Sequence, residues 1–202
     1  MQFKQFTDIP NLINLAIFAS GTGTNAEKLL AYFEHHAAIN IALVVTNNAE
    51  AGVVSIAKKY CKEVFLINKK QLFDEGFILV NFKKKRIDFI VLAGFLLKIP
   101  EYLIASYPQR IINIHPALLP NYGGRGMYGM HVHKAVVANA EKQTGISIHW
   151  VNEHYDEGEI LFQTSCDITA EDSPETVAQK VHELEHKHFA PVVEKAVLNT
   201  PI

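Results

Sequence analysis

The chain has 202 residues, 49% hydrophobic and 20% charged, a balance suited to one globular domain that buries roughly 70% of its unfolded surface. A formal net charge of −2 and a pI near 6.5 leave no electrostatic footprint for nucleic acid, and the one dense basic run, Lys83-Lys84-Lys85-Arg86, reads as a solvated helix end. No apolar run approaches the ~20 residues of a membrane span, and residues 1–13 lack the cationic and apolar regions of a signal peptide.

In chain order, Asn14–Ala19 is predicted as a strand and Asn25–His35 as a helix with apolar positions at Leu29, Leu30 and Phe33. Ile39–Thr46 (strand), Ala51–Tyr60 (helix), Val64–Ile67 (strand) and a helical stretch ending near Arg86 follow. Asp88–Ala93 is apolar enough for a strand covered on both faces, and the short helix Tyr102–Tyr107 leads to a strand at Arg110–Ile114. This alternation predicts an α/β fold with a doubly wound, mostly parallel sheet. Residues 116–130 are rich in Pro and Gly without a period and read as a long loop. A helix around His133–Ala140 precedes strands at Ile146–Val151 and Ile160–Cys166, whose short connection predicts an antiparallel C-terminal addition to the sheet. The last helix has Ser173 as N-cap, Pro174 at its first position, and an apolar face through Val177, Val181 and Leu184. The expected organisation is an N-terminal extension over residues 1–13 and a single domain over residues 14–202. Cys61 and Cys166 stand far apart without a CxxC partner, as thiols of a reducing compartment do, so the expected location is cytoplasmic.

Four segments carry chemistry. Ser20-Gly21-Thr22-Gly23-Thr24-Asn25 links the first strand to the first helix, where backbone N–H groups and the helix N-terminus can close on an anion. It lacks the lysine of a Walker loop, and the second strand ends Val45-Thr46-Asn47-Asn48 without the acid of a dinucleotide site. A phosphate monoester fits better, with Thr24 and Asn25 adding side-chain donors; the bland alternative is a tight turn that binds nothing. Asn113 and His115 alternate onto one side of a strand's C-terminal end, where an amide and an imidazole can polarise a carbonyl, or merely satisfy loop backbone groups. Asp156, in Tyr155-Asp156-Glu157-Gly158, is either a turn residue or a carboxylate that raises the pKa of His115 and favours its imidazolium. His182-Glu183-Leu184-Glu185-His186 matches the zinc-protease pattern HExxH, but no third ligand is placed and the apolar face already accounts for the helix. His131 and His133 form a second metal-capable pair without a nameable supporting ligand.

Together these segments resemble the phosphoribosylglycinamide formyltransferases. SGTGTN at 20–25, LAGFLLKIP at 92–100, INIHPALLP at 112–120 and HYDEGEI at 154–160 occur in the family's order, and the similarity spans about residues 14–197. The resemblance implies Asn113, His115 and Asp156 as the catalytic trio. It implies Gly23, Thr24 and Asn25 around the substrate phosphate, with Glu185 holding the substrate from the same side. It places the folate co-substrate, 10-formyltetrahydrofolate, against Leu96, Leu97, Lys98 and Ile99 and against Asn152, Glu153, His154 and Tyr155, with Asn113 and Asp156 beside it. No metal is implied, and the expected partners are small molecules only, without nucleic acid or membrane, for a monomer or homodimer.

Two departures stand out. The stretch Phe73-Asp74-Glu75-Gly76 lacks the arginine that the family places near the folate tail, so Arg125 or a lysine is the expected substitute. The loop 122–130 is long, and its glycines suggest a mobile cover. The rival readings are a formyltetrahydrofolate hydrolase or a methionyl-tRNA formyltransferase, each expected to carry a further domain, a zinc hydrolase built on HELEH, and a silent phosphometabolite-binding module that would not need the trio.

Overall fold

A computed structural model describes residues 12–202; of the expected N-terminal extension, residues 1–11 lie outside the described residues. The elements run β1 (Ile13–Phe18), α1 (Thr24–Phe33), β2 (Ile39–Thr46), α2 (Gly52–Lys59), β3 (Val64–Leu66), α3 (Lys69–Leu72), α4 (Glu75–Lys84), β4 (Phe89–Leu92), α5 (Glu101–Ser106), β5 (Ile111–His115), α6 (Met130–Ala138), β6 (Gln143–Trp150), β7 (Ile160–Asp167) and α7 (Pro174–Asn199). They form one seven-stranded sheet in the order β3-β2-β1-β4-β5-β6-β7. The first five strands pair in parallel, and β6 and β7 join antiparallel, as the sequence predicts.

Alternation along β1 divides the core. Leu15 and Ile17 face a layer that includes Leu29 of α1, Val53 of α2, Val136 of α6 and Val181 of α7. Ala16 and Phe18 face the opposite layer, with Leu72, Ile78, Phe82 and Leu103 from α3, α4 and α5. A strand covered on both faces has no need of polar alternation, which is why Phe89–Leu92 is wholly apolar and wholly buried.

Most boundaries lie within one or two residues of the sequence reading, and three features differ by more. The helical stretch before Arg86 is two helices, because the Asp74 side chain accepts the Phe77 N–H at 3.0 Å and starts a new one. α6 begins at Met130, ahead of the expected His133, and β6 begins at Gln143, ahead of Ile146, where pairing with Asp167 of β7 extends it. Among the described residues no helix is long and apolar enough to cross a membrane.

The chain leaves β1 for β2 and β3 on one side, then returns to lay β4 on the other side of β1. A crevice opens outside the strand ends at this reversal, the usual ligand position in open α/β sheets. The loops there are tied to one another: Ser20 N–H donates to the Gly94 carbonyl at 3.0 Å, and the Leu96 N–H donates to Ser20 Oγ at 3.0 Å.

Candidate active site

The crevice is a cavity of about 640 Å³. Its floor begins at the turn after β1. Gly23 is the N-cap of α1 with φ 82°, and a Cβ there would lie 2.8 Å from the Val53 Cα, so only glycine fits the turn. The first N–H groups of α1, at Thr24 and Asn25, have no partner within the helix, and both residues line the cavity. The side chain of Asn25 also reaches across to α7: its Nδ2 donates one hydrogen to Glu185 Oε2 at 3.0 Å, which leaves the second, and its Oδ1 is buried without a partner among the described residues.

Glu185 is only 4% exposed on α7, and the same oxygen also pairs with His182 Nδ1 at 2.7 Å. That hydrogen bond raises the pKa of His182 against the opposing effect of burial. Glu185 is committed to Asn25 and His182, and the His182 and His186 rings stack at 6.1 Å. Among the described residues, no three His, Cys, Asp or Glu side chains group as a metal site.

The opposite wall comes from β5 and β6. Antiparallel register sets Asn113 against His149 and His115 against Ser147. Ser147 Oγ donates to the Ala117 carbonyl at 2.7 Å and accepts the Leu119 N–H at 2.9 Å, which pins the start of the long loop over the site. The loop then returns to the histidine: His115 Nε2 lies 2.8 Å from the Tyr122 carbonyl, a contact that requires the hydrogen on Nε2. His115 Nδ1 faces Asp156 Oδ2 at 3.6 Å, and Asp156 Oδ2 accepts the Gly124 N–H at 2.8 Å. His149 completes the group. Its Nδ1 meets the Trp150 carbonyl at 2.8 Å, so its Nε2 is free to accept the Asn113 amide hydrogen at 3.1 Å, with Asp156 Oδ1 3.7 Å away.

Burial sets the electrostatics. It lowers the pKa of His115, and the Asp156 charge and the Tyr122 carbonyl push back without reversing the shift. The expectation that Asp156 would raise the histidine's pKa therefore holds for the direction of its own contribution but not for the net result, because the ring is almost wholly desolvated. Burial also pushes the Asp156 carboxyl up, but the neighbouring His149 and His115 imidazoles and the Gly124 N–H outweigh it and hold the pKa below the ordinary value.

Leu96, Leu97, Lys98 and Ile99, after β4, line the cavity together with Asn152, Glu153, His154 and Tyr155, and Lys98 Nζ sits 5.7 Å from the Tyr155 ring centre. Arg125 lines the cavity as well, whereas Phe73 to Gly76 do not. Every residue of the trio and of the phosphate and folate sets thus borders one cavity, whereas His131 and His186 do not. Sequence reasoning missed His149 and the Tyr122 and Gly124 backbone groups, and named His133 only as half of a metal-capable pair. His149 was detectable only through the β5–β6 register, and the backbone contacts left no signal at all.

The sequence model of the family described as formyl transferase matches residues 13–193. The chloroplastic phosphoribosylglycinamide formyltransferase of Arabidopsis thaliana is 39% identical over 191 residues, 91% of this chain and 65% of the relative. The chain therefore spans just under two thirds of that plant protein. The phosphoribosylglycinamide formyltransferase of Bacillus subtilis is 32% identical over 185 residues, covering 89% of this chain and 92% of its own length. The crystal structure of phosphoribosylglycinamide formyltransferase from Bacillus halodurans superposes with a TM-score of 0.82 at 32% identity, over 92% of this chain and 96% of that one. This chain belongs to the formyl transferase family, on its phosphoribosylglycinamide formyltransferase branch.

Proposed function

We propose that the protein transfers the formyl group of 10-formyltetrahydrofolate to the amine of 5′-phosphoribosylglycinamide, a step of purine synthesis. The observation that carries this reading is the convergence, in one cavity, of an anion-binding helix start at Gly23–Asn25 with Asn113, His115 and Asp156. A volume of about 640 Å³ suits a folate head group beside a small phosphorylated amine, since ligand pockets run to roughly 300–1,000 Å³. The apolar side chains of Leu96, Leu97 and Ile99 offer a face for a flat ring, and the Asn152–Tyr155 segment lines the same cavity.

The amine nitrogen bonds to the formyl carbon of the folate and charge develops on the formyl oxygen; the carbon's bond to the folate nitrogen then breaks, and that nitrogen leaves with the proton the amine gives up. The protein's part is to place donors where that charge appears. Asn113 uses its amide nitrogen on His149, which fixes the amide plane and leaves its second hydrogen for the cavity. His115 has its Nε2 hydrogen on the Tyr122 carbonyl, so it donates from Nδ1 only when doubly protonated. Asp156, at 3.6 Å, favours that protonated form. The phosphate is held by the N-terminus of α1, with Glu185 and Asn25 setting the wall beside it. The whole sheet forms one catalytic unit in this reading. The free thiols Cys61 and Cys166 suit a reducing compartment, the cytoplasm.

Steady-state transfer with His115→Ala and Asn113→Ala tests the assignment. Each should lose about 10²–10³-fold in kcat, the usual effect of removing one oxyanion donor, with folding intact. Wild-type rates in either variant would remove that residue from the reaction.

A further inference from the structure

His133 has no task in the account above, yet it lies in the wall of the same cavity. It belongs to the first turn of α6, between the core residues Val132 and Val136, and is 2% exposed. Its Nδ1 is buried without a hydrogen-bond partner among the described residues, and no hydrogen bond contributes to its ionisation. A polar ring driven into an apolar helix interface and left unpaired is expensive unless something completes it.

We infer that His133 is a substrate-positioning residue, which hydrogen-bonds a ribose hydroxyl of the phosphorylated substrate. This rests on the proposed substrate. Three observations favour a hydroxyl over the substrate's other groups. His133 shares the cavity wall with Glu185 and His182, which sit beside Asn25, and with His115 of the trio. Burial lowers its pKa, His182 and His115 add to that, and the opposing Glu185 does not restore it, so the ring is neutral near pH 7. A neutral imidazole offers one donor and one acceptor, the same pair that a hydroxyl offers in return. Phosphate only accepts and is served by the α1 N–H groups, whereas the carboxylates of Glu185 and Asp156 can accept from a hydroxyl but not donate to it.

The test is a two-way comparison of kcat/KM. Wild type and His133→Ala are each assayed with phosphoribosylglycinamide and with its 2-deoxyribosyl and 3-deoxyribosyl analogues. Wild type should lose about 5- to 100-fold on one of the two analogues, mainly through KM. His133→Ala should lose a similar factor on the ribosyl substrate and little more on that analogue, because the partner is already gone. A purely structural role predicts instead that the two losses multiply, and that outcome, or an unaffected His133→Ala, overturns the inference. Should the alanine variant not fold, His133→Leu keeps the volume and repeats the comparison with the same expectations. Failure of wild type to formylate the ribosyl substrate sinks the functional reading and this inference together. Multiplying losses with wild-type transfer intact sink the inference alone.

Discussion

Asp156 is held in the left-handed region with φ 58°, a conformation that aspartate tolerates better than most residues. That backbone turn points its carboxylate at two imidazoles and one N–H at once. The consequence for His115 has a definite sign. Burial lowers the histidine's pKa and Asp156 raises it, so replacing the carboxylate by an amide leaves burial unopposed by that charge. In Asp156→Asn, the His115 pKa followed by imidazole NMR should lie below its wild-type value. An unchanged or higher value would mean that the two side chains are not coupled. The same substitution should depress transfer more steeply as pH rises, because the imidazolium required for donation from Nδ1 is lost at a lower pH.

At the scale of elements, the site depends on how α7 is started and how β6 is registered. Ser173 caps α7 by accepting the Thr176 N–H at 3.3 Å, and the helix carries Glu185 three turns later. Ser173→Ala should lower the unfolding free energy by about 1 kcal/mol in denaturant titrations while leaving kcat unchanged, since the cap lies far along the helix from Glu185. A loss of kcat at full stability would contradict this division. The cap, the Pro174 start and the apolar face of α7 were all legible in the sequence because they are local signals. So were the parallel strands, whose unbroken apolar runs can be explained only by cover on both faces, and the glycine-rich turn whose Gly23 proves to be sterically obligatory. The quoted motifs located Asn113, His115 and Asp156, but not the scaffold between them. His149 joins Asn113 to the Asp156 neighbourhood only because β6 runs antiparallel to β5 in one particular register, and no local pattern encodes register between strands that are 36 positions apart at this pair. The bond from Asn25 to Glu185 left no local signal either, because α7 lies 160 positions away. The net direction of the His115 shift was missed for a related reason. Sequence names a charged neighbour, whereas desolvation comes from everything packed around the ring.

For the molecule as a whole, several buried or partly buried imidazoles set its behaviour in acid. His115 and His133 are buried with pKa values lowered by burial, so the unfolded chain, with histidines near 6.5, binds more protons than the folded one below that pH. Their contribution to stability is complete above about pH 6.5 and is lost as pH falls through their lowered folded values. His182 works in the other direction. Raised by Glu185, it contributes stability at low pH that is lost as pH rises through its folded value, but its side chain is half exposed and its effect is screened. The denaturation midpoint should therefore fall between pH 7 and pH 5, and a midpoint that rises over this interval would contradict the burial of neutral imidazoles.

The central claim is that one cavity directs a formyl group to a phosphorylated amine and not to water. The direct measurement is a time course with formyl-labelled 10-formyltetrahydrofolate and phosphoribosylglycinamide, counting label in the N-formyl product and in formate. Nearly all label should reach the product, and transfer should stop when the amine substrate is omitted. Label appearing as formate at the same rate with and without the amine would show a hydrolase, and would contradict the assignment of Gly23–Asn25 to a substrate phosphate.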